Sequence, residues 1–162
     1  MNVSEFKLDL PYPEVEGEIC KECAALLQES YSGRISEATA IFQYAYQSYV
    51  LKKDNPKLSA LLEQIAIVEM LHHELLAKAI IAFGGNPVIS GRSAFFSGSY
   101  VNYATNPCAI INNNIIGEQK AICDYQKTIA VCDNCSLKEL LNRIIMDEEL
   151  HISALKNALD EM

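Results

Sequence analysis

An all-α fold, four long helices in a bundle with a long crossover between the second and third, is predicted from three features of the sequence. Helical periodicity runs through most of the chain, Asn-Pro and Asp-Asn steps interrupt it, and one stretch rich in Gly and aromatic residues has no period. The chain has 162 residues, enough for one domain spanning 1–162 with a sizeable core. Residues 1–17 form an N-terminal extension. A first helix is expected from about Glu18 to Lys53, where Asp54-Asn55-Pro56 breaks it, and Pro56 suits the first turn of a second helix running to about Phe83. Gly84-Gly85-Asn86-Pro87 ends that helix. Residues 84–106 carry Phe95, Phe96, Tyr100 and Tyr103 among glycines and serines, so they form the crossover. Asn106-Pro107 starts a third helix to about Val131. Asp133-Asn134 then makes a turn, and Ser136 is the expected cap of a fourth helix that reaches the C-terminus.

Half of the residues are hydrophobic and 21% are charged, an ordinary globular composition. The 21 acidic residues against 13 basic ones give a net charge of −8, which favours cations as partners and argues against nucleic acid or an anionic membrane. No apolar run approaches the ~18 residues of a membrane span. The start, Met1-Asn2-Val3-Ser4-Glu5, lacks the basic and apolar regions of a secretory signal, so a cytoplasmic location is expected.

The chain has 3 histidines, and two of them follow a glutamate by three residues, in Glu69-Met70-Leu71-His72 and Glu148-Glu149-Leu150-His151. Positions i and i+3 share a helix face, so each pair offers a carboxylate and an imidazole in one direction. Glu69 lies in an apolar stripe with Leu62, Ile65, Leu76 and Ile80, and Glu148 in one with Leu141, Ile144, Ile145 and Leu155. Glu37 lines up with Ile41 and Tyr44, and Glu118 with Ile111, Ile115, Ile122 and Tyr125. In each helical hairpin the two glutamates stand about equally far from the turn, roughly 22 to 24 Å along the helices, so all four can meet near mid-bundle. Ionised carboxylates in an apolar core cost several kcal/mol each unless neutralised. Two divalent cations would cancel four negative charges. Six ligands, Glu37, Glu69, His72, Glu118, Glu148 and His151, with positions left open for water or O2, match the di-iron or di-manganese carboxylate arrangement of four-helix bundles. The competing explanation, surface glutamates with incidental histidines, has to account for four coincident apolar stripes.

Over about residues 20 to 160 the sequence resembles the ferritin-like di-metal family of bacterioferritins, rubrerythrins and manganese catalases. The motif Met146-Asp147-Glu148-Glu149-Leu150-His151-Ile152 is similar to the last-helix motif of bacterioferritins. Tyr44-Ala45-Tyr46-Gln47-Ser48-Tyr49 and Leu10-Pro11-Tyr12-Pro13 are similar to the manganese catalase branch. The resemblance implies a ferritin-like bundle and the same six ligands. It also implies that Asp147 orients the histidine of the opposite helix, and Tyr44 is a candidate to hydrogen-bond a bridging oxygen or supply an electron. Three departures stand out. Rubrerythrins place an extra glutamate three residues after the third-helix ligand, where Ala121 stands, and append a rubredoxin domain, which is not expected here. Manganese catalases are longer and carry a lysine before that ligand, where Gly117 stands. Met70 occupies the place of the haem-binding methionine of bacterioferritins, but a core or surface methionine is the expectation here, without haem.

Of the 6 cysteines, four form two Cys-x-x-Cys motifs, Cys20/Cys23 and Cys132/Cys135. Crossover connectivity puts both motifs at one end of the bundle, about 21 to 25 Å from the metals along the helices. They could form one tetrahedral zinc or iron site; the other reading is a set of buried or loop thiols, or two redox pairs. Cys108 and Cys123 are expected to be structural. The leading expectation is a di-iron (alternatively di-manganese) oxidoreductase, rubrerythrin-like, that reacts with peroxide or O2 and draws on an electron-donor protein. The alternatives are a ferroxidase feeding a bacterioferritin-like storage shell, manganese catalase-like dismutation, and a non-catalytic bundle with structural metals. A homo-oligomer, at least a dimer, is expected from the long amphipathic helices and the aromatic crossover.

Overall fold

The computed structural model describes residues 5–162. Among the described residues there are five α-helices, α1 (Lys21–Ser32), α2 (Glu37–Leu51), α3 (Pro56–Ala82), α4 (Pro107–Val131) and α5 (Cys135–Asp160), and a 3-10 turn lies at Gly98–Tyr100. The described residues contain no β-strand, only an isolated bridge between Ser90 and Phe95. The main helix pairings are α2 with α3 and α4 with α5, and α1 packs on α3 and α4. This is the expected ferritin-like bundle.

The first expected helix, Glu18 to Lys53, is instead two helices, and this is a correction. The chain leaves helical geometry at Gly33, where an added Cβ would come within 2.6 Å of the Glu29 carbonyl oxygen and collide with the Glu29 carboxylate. Ser36 then starts α2 as its N-cap. Its hydroxyl accepts from the Thr39 N–H at 3.3 Å and donates to the Gly33 carbonyl at 2.8 Å, which ties both sides of the break together. The Asn-Pro starts of α3 and α4 are as expected: the Asn55 and Asn106 side chains accept from Leu58 N–H (3.1 Å) and Ala109 N–H (3.0 Å), with Pro56 and Pro107 in the first turn. The cap of α5 is Asn134 and not Ser136. The Asn134 amide oxygen accepts from Leu137 N–H at 2.8 Å, while the Ser136 hydroxyl donates to the Glu16 carbonyl of the N-terminal segment at 3.1 Å.

After α3 the backbone reverses at Gly84, whose φ of +78° favours glycine. The crossover is pinned to α1 by Gln28, whose side-chain N–H groups reach the Val88 and Ser90 carbonyls at 2.6 Å each. Further on, Phe96 stacks on Phe42 at 5.5 Å and Tyr103 meets Tyr46 edge-on at 4.9 Å, which lays the crossover across α2.

The interior has two apolar clusters. One gathers Leu27, Tyr31, Leu76, Ile80, Phe83, Tyr125, Leu140 and Ile144, and the other Tyr44, Leu58, Leu62, Ile65, Ile110, Ile111 and Leu155. Between them Glu37, Glu69, His72, Glu118, Glu148 and His151 are all buried. No described helix is long and apolar enough to cross a membrane. Replacing Ser36 by Ala should cost about 1 kcal/mol of stability, because α2 loses its cap and the Gly33 carbonyl the nearer of its two hydroxyl partners. Urea denaturation of the metal-free protein measures it.

Candidate metal centre

Each helix from α2 to α5 contributes a glutamate to the layer between the apolar clusters. Glu37 is the first residue of α2, Glu69 lies mid-way along α3, Glu118 mid-way along α4 and Glu148 mid-way along α5. Ligand atoms of Glu37, Glu69, His72 and Glu148 lie within 4.8 Å of one another, and so do those of Glu69, Glu118, Glu148 and His151. The two groups share Glu69 and Glu148. Two cations held there would share Glu69 and Glu148, each with one further glutamate and one histidine.

Both imidazoles present Nδ1 to the carboxylates. His72 Nδ1 lies 3.3 Å from Glu69 and 3.3 Å from Glu148, and His151 Nδ1 lies 3.0 Å from Glu69 and 3.1 Å from Glu148. The opposite nitrogens are engaged elsewhere. His151 Nε2 sits 3.0 Å from the Phe6 carbonyl oxygen, which can only accept, so Nε2 carries the proton and Nδ1 is left for the centre. His72 Nε2 is 3.2 Å from Asp147 Oδ2, the geometry that fixes a metal-ligating imidazole in orientation and tautomer. Asp147 is itself held by Leu8 N–H at 2.8 Å, the Tyr12 hydroxyl and the Arg143 guanidinium at 2.7 Å. Burial alone would raise the Asp147 pKa, but these partners hold it below the usual carboxylate range.

Two tyrosines complete the arrangement. The Tyr44 hydroxyl donates to Glu118 across the bundle, and the Tyr125 hydroxyl donates to Glu37. Each tyrosine stands two helical turns after a glutamate of its own helix, and α2 and α4 run antiparallel, so both pairs meet level with each other. Tyr44 belongs to one apolar cluster and Tyr125 to the other. Tyr125 was legible only as part of the Glu118 stripe; the repeated Glu-to-Tyr spacing is the signal that marks it. Burial and the Glu118 charge push the Tyr44 pKa up, which keeps it a neutral donor.

The charge balance of the metal-free cluster follows from these contacts. Burial, then the Glu69 and Glu148 charges, raise Glu37 and Glu118 well above the ordinary carboxyl value. Burial would lower both histidines, but the surrounding carboxylates outweigh it and raise them. Glu69, which burial would raise, is held low by His151 and by hydrogen bonds with both histidines and Glu37. Protons thus stand in for cations. Glu69 Oε1 and Glu148 Oε1 are nevertheless buried with nothing closer than an imidazole nitrogen, at 3.0 Å from His151 and 3.3 Å from His72. Oxygens of the two shared glutamates that face only imidazoles are what a metal pair would satisfy, and the O/N donor set suits iron or manganese.

A cavity of about 220 Å³ opens between α2 and α4 and reaches all four glutamates but neither histidine. Gly117 lines its mouth, and a Cβ there would meet nothing within 4 Å. At one side a chain of amides joins the two helices, Gln43 to Asn114 at 2.7 Å and Asn114 to Gln47 at 2.8 Å. Met70 is exposed on α3, away from this layer. The four motif cysteines do not join the centre: every described group of three or more mutually close ligand side chains consists of Glu and His.

A family model described as rubrerythrin matches residues 26–159. The chain is 29% identical over 138 residues to a bacterioferritin of Desulfovibrio desulfuricans, covering 83% of this chain and 74% of that one. The X-ray structure of a bacterioferritin from that species aligns with a TM-score of 0.72 over 86% of this chain and 78% of that chain, at 28% identity. Protein CotJC of Bacillus subtilis is 24% identical over 177 residues, covering 96% and 92% of the two chains. The crystal structure of KatB, a manganese catalase from Anabaena, aligns with a TM-score of 0.86 at 25% identity, covering 94% of this chain and 78% of that chain.

Metal loading should release protons, up to four per chain, because Glu37, Glu118, His72 and His151 each hold one more readily than their ordinary values allow. Calorimetry of Fe(II) or Mn(II) binding in buffers of different ionisation enthalpy counts them. The sign for stability follows from the same shifts. Groups raised in the folded state bind protons that the unfolded chain gives up above about 4.5 for carboxyls and 6.5 for imidazoles. The metal-free protein should therefore lose stability as pH rises from about 5 towards 9, and metal should restore most where the metal-free form is weakest. Melting temperatures with and without metal across that range check the direction.

Proposed function

The chain belongs to the rubrerythrin family, and from its two linked Glu/His clusters we propose that it is a di-metal carboxylate oxidoreductase acting on a small oxidant, peroxide or O2. The observation that carries this reading is the sharing of Glu69 and Glu148 between the two groups, with a cavity leading to the carboxylate side only. Two iron ions, or two manganese ions, would be held by Glu37, Glu69, His72 and Glu148 on one side and by Glu69, Glu118, Glu148 and His151 on the other. When bound, such a pair supplies two electrons to a substrate O–O bond.

The chain's own residues have distinct parts in this. Glu69 and Glu148 would serve both ions, since each belongs to both groups of ligand atoms. Tyr44 and Tyr125 restrain Glu118 and Glu37 and hold a proton beside each. His72 and His151 are fixed from behind by Asp147 and the Phe6 carbonyl, so they do not swing with the carboxylates. The two apolar clusters keep bulk water from the ends of the layer, and the cavity admits a molecule of a few heavy atoms.

Manganese catalase-like dismutation is the second reading, favoured by the fold likeness to KatB, with a TM-score of 0.86 against 0.72 for the bacterioferritin. The two differ in product. Dismutation evolves one O2 for every two peroxides, whereas a peroxidase evolves none and oxidises a donor. A cytoplasmic setting, an electron-donor protein and a homo-oligomer, at least a dimer, belong to the same proposal. The exposed Phe42, Tyr49 and Phe95 support the last.

Elemental analysis of untreated protein, with oxygen-electrode and donor-oxidation assays, tests the function. Two Fe or Mn per chain and peroxide consumption are expected; a fully metal-loaded protein inert to both peroxide and O2 overturns the reading. Glu118→Ala should remove one metal and reduce peroxide turnover at least about a hundredfold while the circular dichroism spectrum stays helical. Asp147→Asn should keep both metals bound but lower affinity by about ten- to a hundredfold, as expected for loss of an imidazole's charged partner, and equilibrium dialysis reads it.

A further inference from the structure

Cys20 and Cys23 stand apart from the function proposed above. Cys20 is the N-cap of α1, partly exposed, and its Sγ accepts the Cys23 N–H at 3.3 Å. Cys23 is buried in the apolar cluster, and its Sγ lies 2.7 Å from Cys20 Sγ. That separation is inside the ordinary contact distance of two sulfur atoms and only about 0.7 Å longer than an S–S bond. The third sulfur, of Cys132 at the end of α4, is also buried and lies beside Cys23. Cys135 is exposed at the start of α5. The four thiols are therefore unequal: one accessible, one touching it from inside, one behind, one outside.

From this geometry we infer that Cys20 and Cys23 form a redox-active dithiol that exchanges with an external disulfide, Cys20 attacking and Cys23 resolving. The Cys20 thiolate attacks one sulfur of the substrate disulfide, forms a mixed disulfide and expels the first substrate thiolate. The Cys23 thiolate then attacks Cys20 Sγ, the mixed disulfide breaks, and the second substrate thiolate leaves. The two protons given up by the cysteines end on the two released thiols. Two electrons have passed from the dithiol to the substrate, and a Cys20–Cys23 disulfide remains.

The division of roles rests on position. Cys20 meets solvent at the positive end of a 12-residue helix, whose free N–H groups favour a thiolate. The hydrogen bonds from the Cys23 thiol and N–H lower the Cys20 pKa, while burial and then Cys132 raise that of Cys23. An attacking thiol needs the first property; a resolving thiol needs only to be adjacent.

Glutathione is the probe. The full chain is equilibrated over a range of reduced-to-oxidised glutathione ratios, quenched in acid, alkylated and mapped by peptide mass. Cys20 and Cys23 should lose two hydrogens together, in proportion to oxidised glutathione over the square of reduced glutathione, and return with reductant. Cys23→Ser should accumulate one glutathione on Cys20, and Cys20→Ser should form neither the internal disulfide nor a glutathione adduct at Cys23. Reduced Cys20 should alkylate about tenfold faster than exposed Cys108 at neutral pH. Metal uptake at the Glu/His centre should be unchanged in both variants, which separates exchange from loss of fold. Three outcomes overturn the inference: independent thiols at every ratio, a Cys23–Cys132 bond in place of Cys20–Cys23, or a zinc or iron ion retained by these cysteines and lost in Cys20→Ser.

Discussion

Four glutamates buried in one layer are the constraint that organises this molecule. A single unpaired carboxylate in such a place costs several kcal/mol, a large share of the net stability of a domain this size. The sequence carries four, on four separate helices, and none is exposed. The helices are therefore held together across a layer that would push them apart unless protons or metal ions occupied it. Imidazole nitrogens, tyrosine hydroxyls and the two apolar clusters all serve that neutralisation, directly or by fixing the geometry in which it works.

The layer is close to two-fold symmetric in its chemistry. Each half has one glutamate of its own, one histidine, one tyrosine from the facing helix and a share in Glu69 and Glu148. The symmetry stops behind the histidines. His72 leans on a charged aspartate with a guanidinium and a phenol of its own, whereas His151 leans on a neutral peptide carbonyl. An aspartate makes its imidazole the stronger donor. Two chemically unlike halves result from nearly alike parts, and the more electron-rich half is the one that includes Glu37.

How much of this was legible in the residues depends on what carries the signal. The two Glu-x-x-His steps, their apolar stripes and their equal distances from the turns declare the layer, because helix geometry converts spacing directly into direction. The split between α1 and α2 has no proline to declare it; Gly33 and Ser36 mark it, and residues of both types also stand inside helices, as Gly117 in α4 and Ser59 in α3 do. Asn134 and Ser136 are both good caps two residues apart, and both also bind Glu16, more than a hundred residues away, a contact that local sequence does not announce. The Phe6 carbonyl and the Leu8 amide lie wholly beyond sequence reasoning, because every residue has such groups. The helical faces could be read; the backbone that braces them from outside could not.

That bracing spans most of the described chain. Phe6, Leu8 and Tyr12 act on His151 and Asp147 of α5, at least 135 residues later. The donors and the groups that steady them therefore exist together only once α5 has been made. Until then the segment before α1 has nothing to hold.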